Sequence, residues 1–290
     1  MTDAPAAARP TVAPIGDDDA EAVAEFFHRH LNSQVGADRW LAVVRPPWSA
    51  GPNRGFRLIV DDVVVGAYAA VYSSRETPEG ALQVCNLAAF CVLPEYRAHS
   101  LRLVRALLGQ KGYLFTDLSP SGNVPAMNER LGFARLDTAT RLAVNVPGRA
   151  GRHVEVIEDL DEIADALGGF DAKVFTDHRD APAARHLLVR SAGGHAYLMY
   201  RRDRRKQLPV FATPLFVGGD PGVLAEAWHA VASRLLRRGF AMTLAERRVL
   251  GFSPRGAGRE LRSPRPRMYK GAGGPGDVDY IYSELTLLEW

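Results

Sequence analysis

Arg97-Ala98-His99-Ser100-Leu101-Arg102 is the run in this chain best suited to chemistry. It sets two arginines and a histidine where a helix is predicted to begin, over about Ser100–Leu108. Cations are unfavourable at a helix N-terminus, where backbone N–H groups and the helix dipole already present positive charge. An anion resolves that conflict, and the amides of such a turn bind phosphate readily. A guanidinium adds paired N–H donors that match phosphate oxygens. The chemistry read from this run is capture of a phosphate-bearing molecule. Pairing of Arg97 and Arg102 with Glu95 or another acid is the alternative.

A strand predicted over Leu82–Leu93 leads into the run, and Pro94 marks the bend. On the following helix Leu101, Val104, Leu107 and Leu108 share one face, while Arg102 and Arg105 share another. Upstream, Thr11–Ile15 reads as a strand, with helices over Ala20–Leu31 and Ala37–Val44. Phe56–Val60 and Val63–Ser73 read as a strand pair about Asp61-Asp62. Downstream, Tyr113–Leu118 reads as a strand, a short helix ends at Leu131 with Gly132 as its cap, and Arg135–Val146 reads as a strand or hairpin.

Two stretches in this region carry more than pattern. Val92-Leu93-Pro94-Glu95-Tyr96-Arg97 precedes the basic run, and Asn123-Val124-Pro125-Ala126-Met127-Asn128-Glu129-Arg130-Leu131-Gly132-Phe133 follows it. Together they resemble the GNAT (Gcn5-related N-acetyltransferase) superfamily, over about Thr11–Val146. That family carries V-x-P-x-Y-R, then a Q/R-x-x-G-x-G/A loop around a coenzyme A pyrophosphate, then a helix ending in L-G-F. Here Ser100 and Arg102 replace the two small loop residues. The resemblance implies an α/β (α+β) fold, with a mixed central sheet flanked by helices. It also implies acetyl-CoA or another acyl-CoA as co-substrate, and transfer of the acyl group to the amine of a small molecule or peptide.

By the same resemblance Val92, Arg97, Ala98, His99, Ser100, Leu101, Arg102 and Asn123 are the donor-binding residues. A polarising amide is expected near Phe90–Val92. A general base is expected on that strand, and a general acid on the helix before Leu131-Gly132-Phe133. Asn86 and Asn128 stand at those two places, and no Asp or Glu lies between Gln83 and Leu93. The catalytic residues therefore stay unassigned. A non-catalytic scaffold or ligand-sensing module is the competing function.

Pro147–Gly151 reads as a linker, after which the pattern restarts. Strands are predicted over His153–Ile157, Ala196–Arg201, Pro209–Val217, Phe240–Ala245 and Tyr280–Glu289. Helices are predicted over Asp159–Leu167, Ala181–Arg190 and Val223–Arg238. This suggests a tandem arrangement: a flexible tail over 1–10, one GNAT-like domain over 11–147, and a degenerate one over 153–290. Gly218-Gly219-Asp220-Pro221-Gly222 falls at the strand-to-helix junction matching the basic run. It is read as a turn and helix cap, since Asp220 would repel phosphate.

The remaining candidates reduce to structure. Asp17-Asp18-Asp19 is read as a helix start, and His178 and His186 as a helix surface rather than metal ligands. His178-Arg179-Asp180 lacks the other elements of a kinase site. Cys85 and Cys91 are expected on one strand and one face, about 20 Å apart, too far for a disulfide. Two cysteines also cannot build a four-thiolate zinc site. Across 290 residues the net charge is +3, yet Arg201–Lys270 holds 16 Lys/Arg against five Asp/Glu. A solvated basic surface is expected there, and nucleic-acid binding is disfavoured because the aromatic residues fall on core-like positions. The absence of a long apolar run and of a signal-peptide core sets a cytoplasmic expectation.

Overall fold

The computed structural model describes residues 9–49, 51–78, 80–148, 151, 153–205 and 208–289. Most of the expected tail and part of the expected linker fall outside the described residues. Two compact units form, Met1–Asp117 with Tyr269–Gly273, and Leu118–Met268 with Gly274–Trp290.

The first unit opens with β1 (Thr11–Pro14), α1 (Ala20–His30) and α2 (Ala37–Val44). Asp17–Asp19 form a 3-10 turn before α1, and Asp17 and Asp19 pair with Arg54 and Arg57. Strands β2 (Gly55–Val60), β3 (Val63–Thr77) and β4 (Gly80–Val92) then run antiparallel. The β2–β3 turn has positive φ at both Asp61 and Asp62, the conformation that suits a two-residue hairpin. A 3-10 turn, Pro94–His99, feeds α3 (Ser100–Leu108), and β5 (Tyr113–Asp117) pairs parallel with β4. Val23, Phe27, Trp40 and Val43 are fully buried, and the Phe27 and Trp40 rings lie 5.4 Å apart. Leu103, Val104 and Leu107 form the buried stripe of α3. Leu101, expected on that stripe, is 50% exposed; Leu103 takes its place.

The second unit holds α4 (Val124–Arg130), β6 (Ala134–Arg135), β7 (Thr140–Val144), β8 (Glu155–Ile157), α5 (Leu160–Ala166) and α6 (Gly169–His178). It continues through β9 (Arg185–Ser191), β10 (Gly194–Arg205), β11 (Leu208–Gly219), α7 (Pro221–Glu226), α8 (Trp228–Arg237), β12 (Met242–Glu246), α9 (Arg247–Leu250) and β13 (Gly258–Glu260). A last strand, β14 (Met268–Gly271), returns to the first sheet beside β5.

The sheet orders give the architecture. The first contains β1-β2-β3-β4-β5-β14 and the second runs β13-β7-β12-β11-β10-β9-β8. Strands β8 to β12 therefore repeat β1 to β5, with the same antiparallel pairs and one parallel pair, β11–β12, matching β4–β5. The strand beside each parallel pair is exchanged: β7 sits next to β12, and β14 next to β5. The compact units consequently divide elsewhere than at the predicted linker. Even the irregularities repeat. Ala88 is an extra residue on β4 and Leu215 is the same on β11, each a bulge at the equivalent register step.

Several expectations change. Ala181–Arg190 is not a helix, because His186–Val189 belong to β9, buried among neighbours on both faces. Residues 169–178, left without an element, form α6. His178 and His186 are accordingly buried, not surface groups. The helix over Val223–Arg238 is broken at Ala227 into α7 and α8. Tyr280–Glu289 makes no strand; it is a buried segment with a 3-10 turn at Glu284–Thr286, and Arg201 binds its Leu288 carbonyl. Cys85 and Cys91 face opposite sides, since the Ala88 bulge leaves their partners, Tyr72 and Ala67, an odd number of residues apart.

Candidate functional site

The site begins where β4 and β5 part. Their parallel pairing covers only Gln83–Asn86 against Tyr113–Thr116. Asn86 is the last rung. Its Oδ1 accepts from the Thr116 hydroxyl at 3.0 Å, and both side chains are buried. Beyond this point β4 continues for six residues with β3 on one side and, among the described residues, no paired strand on the other. The Leu93 N–H donates to the Val65 carbonyl at 3.0 Å, which marks Leu93 as facing β3. Because antiparallel residues alternate, the Val92 and Phe90 amides point the other way, into the edge that β5 has left.

The open edge runs directly into the basic turn. Arg97 and Ala98 are exposed, and His99, Ser100 and Arg102 are half-buried. Among the described residues no side chain caps Pro94–His99 or α3, and the first turn of α3 holds no acidic residue. Arg97 has no ion-pair partner among the described residues. It lies close enough to Cys91 to favour the thiolate, yet partial burial dominates and the Cys91 thiol is raised above its ordinary value. Arg102 is anchored, its Nη1 donating to the Pro10 carbonyl at 2.5 Å. A guanidinium carries five N–H donors, so this bond engages only part of it. Neither arginine pairs with Glu95. Val92, Arg97, Ala98, His99, Ser100, Leu101 and Arg102 thus lie along one strand-end and turn. Asn123, exposed at the start of α4, belongs to the second unit.

The positions expected to hold the base and acid are occupied by buried amides. Asn86 ties the two strands together at the fork. Asn128 is 1% exposed within α4, and its backbone carbonyl takes the Phe133 N–H that closes the L-G-F end. Among the described residues no cluster of three or more His, Cys, Asp or Glu is arranged to hold a metal ion.

The second unit repeats the fork with different contents. β11 and β12 pair only at Phe211–Ala212 against Met242–Thr243. Asp220 N–H donates to the His195 carbonyl, as Leu93 does to Val65, so Gly219 is the counterpart of Val92. The Gly219 N–H, facing outward, donates to Asp171 Oδ2 at 2.7 Å. Asp220 itself caps α7 by accepting from the Gly222 N–H at 2.7 Å. Sequence reasoning missed Asp171, whose only signal was an acid in the first turn of an unrecognised helix.

Part of the basic block of Arg201–Lys270 is internal bonding, while Arg204, Arg237, Arg247, Arg255, Arg259 and Arg262 are exposed. Arg201 and Arg265 converge on buried Asp203, and Arg267 pairs with buried Glu246 and stacks 4.0 Å over Tyr280. Arg234 and Arg238 bind Glu158; burial tends to raise its pKa, and the two guanidiniums outweigh that and lower it.

No protein-family model and no curated protein matches the sequence. Solved structures do match in fold. A GCN5-related N-acetyltransferase from Anabaena variabilis superposes with a TM-score of 0.59 at 10% identity, over 90% of this chain and 72% of that one. One from Kribbella flavida gives 0.59 at 15% identity, over 90% and 70%. A candidate acetyltransferase from Pyrococcus horikoshii gives 0.54 at 13% identity, over 100% and 99%. With the repeated forked sheets, these likenesses identify the fold of this chain as that of the GCN5-related N-acetyltransferases, built twice.

Proposed function

We propose that this protein transfers an acetyl or longer acyl group from acyl-CoA to the amine of a small molecule or peptide. The observation that carries the reading is the β4–β5 fork, whose open edge ends on an uncapped helix start flanked by arginine. The residues offered to a pyrophosphate are the exposed cation of Arg97 and the turn through Ala98, His99 and Ser100, which no side chain among the described residues caps and whose Ser100 N–H donates to the Arg97 carbonyl. Leu101 and Arg102 complete that turn, and Val92 lies at the edge of the donor channel. The amides of Phe90 and Val92 are the groups assigned to hold and polarise the thioester carbonyl. Asn123 has no role in this proposal. We take the two sequence repeats as residues 11–147 and 153–290.

In the transfer the amine nitrogen bonds to the thioester carbon, the C–S bond breaks, and the amine proton must leave while the thiolate gains one. Asn86 and Asn128 do neither, since amides do not titrate. The acceptor therefore enters as free amine, or a group away from the fork takes the proton. Those buried amides favour one alternative, a non-catalytic module that binds the same donor.

Acetyl-CoA and a long-chain acyl-CoA are expected to raise the melting temperature, and Arg97→Ala to remove the shift. The absence of any shift with any CoA species overturns donor binding. Release of free CoA on adding an amine pool separates the enzyme from the binding module.

A further inference from the structure

We propose that Arg205 and Arg265 form a phosphate-binding site within the C-terminal copy. The site shares no residue with the donor reading above and does not rest on it.

Strand period places the first arginine. Asp203 pairs with Phe211 and Arg205 with Leu208, so Pro209 and Val210 together oppose Arg204. That bulge lies on β11, and β10 keeps its alternation. Arg201, Asp203 and Arg205 therefore project from one face. Arg265 joins them there. Its Nη1 donates to Asp203 Oδ2 at 3.0 Å and its Nη2 to the Arg204 carbonyl at 3.2 Å. Three guanidiniums thus gather about the one carboxylate of Asp203.

That carboxylate is fully used. Its Oδ1 accepts from the Arg204 N–H at 2.8 Å and lies 3.6 Å from Arg201 Nη2. Its Oδ2 also accepts from the Thr213 hydroxyl at 3.2 Å. Arg201 is buried and donates to the Leu288 carbonyl as well. Nothing comparable serves Arg205, which is half-buried. Its Nε is sealed from solvent without an acceptor, and among the described residues no hydrogen bond or ion pair engages its guanidinium. The other described arginines with a sealed Nε all bond through their terminal nitrogens. Arg202, on the opposite face of β10, donates to the Pro209 carbonyl and lies 4.2 Å over the Phe240 ring.

A half-buried cation beside a like charge is unfavourable. Burial and the charge of Arg265 lower the Arg205 pKa from its ordinary value, against the opposing pull of Asp203. An oxyanion removes that cost. Arg265 is 40% exposed and spends two of its five donors on the bonds above, while Arg205 has all five to give. Donors from two planar groups suit a tetrahedral phosphate, whose oxygens accept along several directions.

The test uses the full chain carrying Arg97→Ala, which silences the turn proposed for the donor, with inorganic phosphate as the probe. Calorimetry is expected to give one phosphate per chain, and Arg205→Gln in that background to weaken it at least about ten-fold. Arg205→Lys, which keeps the charge and loses the fork, should fall between the two. In phosphate-free buffer Arg205→Gln should leave Tm within about 3 °C, because no native bond is lost. In phosphate it should forfeit the stabilisation that the ligand gives. No phosphate bound to the Arg97→Ala chain, or equal binding after Arg205→Gln, overturns the site. A larger fall in Tm without phosphate also overturns it, by giving Arg205 a structural role. Acetate bound as tightly as phosphate overturns the phosphate assignment. Competition by a sugar phosphate alone puts the phosphate on a small molecule, and competition by a single-stranded oligonucleotide puts it on a nucleic-acid backbone.

Discussion

The two copies share a fork, a bulge and a junction, and they differ in what occupies them. In the first, the last rung is Asn86–Thr116, the strand beyond it is neutral, and the junction carries arginines without a capping carboxylate. In the second, charge has moved inside. Arg201 stands where the first copy has Val71, Asp203 where it has Ser73, and Asp171 and Asp220 occupy the junction. One backbone thus serves two arrangements: an open edge, proposed above to take the donor, and a closed edge satisfied by its own side chains. A shared fold does not carry a shared site.

The largest test of this comparison asks whether the copies stand alone. A chain of residues 1–147 keeps every element of the first copy in sequence, but it lacks β14, which pairs beside β5. That leaves one edge of the parallel strand unpaired. We expect no cooperative thermal transition from 1–147. A two-state melt would show the exchange of β7 and β14 to be dispensable.

The next test converts the second copy toward the first. Arg201→Val restores the residue type of Val71, but it removes a fully buried cation from Asp203 and a donor from the Leu288 carbonyl. Removing one partner of a buried pair costs about 3–5 kcal/mol. For a chain of this size that is a fall in Tm of roughly 10 °C. A fall under about 2 °C would mean that Arg265 alone satisfies Asp203.

How much of this was legible in the sequence follows the same division. In the first copy the order of elements and the turn ahead of α3 could be read, because apolar period and turn residues set them locally, while the stripe of α3 was read with Leu101 in the place that Leu103 takes. Asp61-Asp62, Pro94 and Gly132 each mark a turn that the structure keeps. In the second copy the buried strand β9 reads as a helix, since Leu187, Leu188 and Val189 show no alternation when both faces are covered. The segment Tyr280–Glu289 has β-type residues, yet tertiary bonds from Arg201 and His178 hold it outside any sheet. The strand exchange and the bulge at Ala88 left no local trace. Pairing between distant strands decides them, and so decides which side Cys91 faces.

A pH experiment sharpens the contrast in charge. His186 is buried in the second copy, its Nδ1 hydrogen-bonded with the Tyr197 hydroxyl at 2.7 Å. Burial pushes its pKa down from 6.5 to about 4, with Arg179 adding to the fall and the His178 carbonyl opposing it. The unfolded chain then binds a proton that the folded chain refuses between those two values. Stability is therefore full above pH 6.5 and is lost as pH falls toward 4, by about 3 kcal/mol. Asp177 and Glu158, held low, begin to lose their contribution as pH falls below their ordinary values of 3.8 and 4.5. Chemical denaturation at pH 7 and pH 4.5 should show the loss, and His186→Gln should remove most of it. An unchanged slope in that variant would assign the effect to another group.

The smallest expected effect bears on the rung that opens the first fork. Asn86→Ala leaves the buried Thr116 hydroxyl without its acceptor at 3.0 Å, which costs about 1–3 kcal/mol. Replacing both partners, as Asn86→Leu with Thr116→Val, should recover part of that loss, because no orphaned polar group remains. If Asn86 only fixes where the strands part, both variants keep the kcat of the unmodified chain, measured below their melting temperatures, and alter KM for the donor at most. A fall in kcat with donor KM unchanged would place Asn86 at the reacting atoms instead. The open edge of the first copy would then share the catalytic work with its last rung, and the difference between the copies would lie at Asn86 as much as at Asp171.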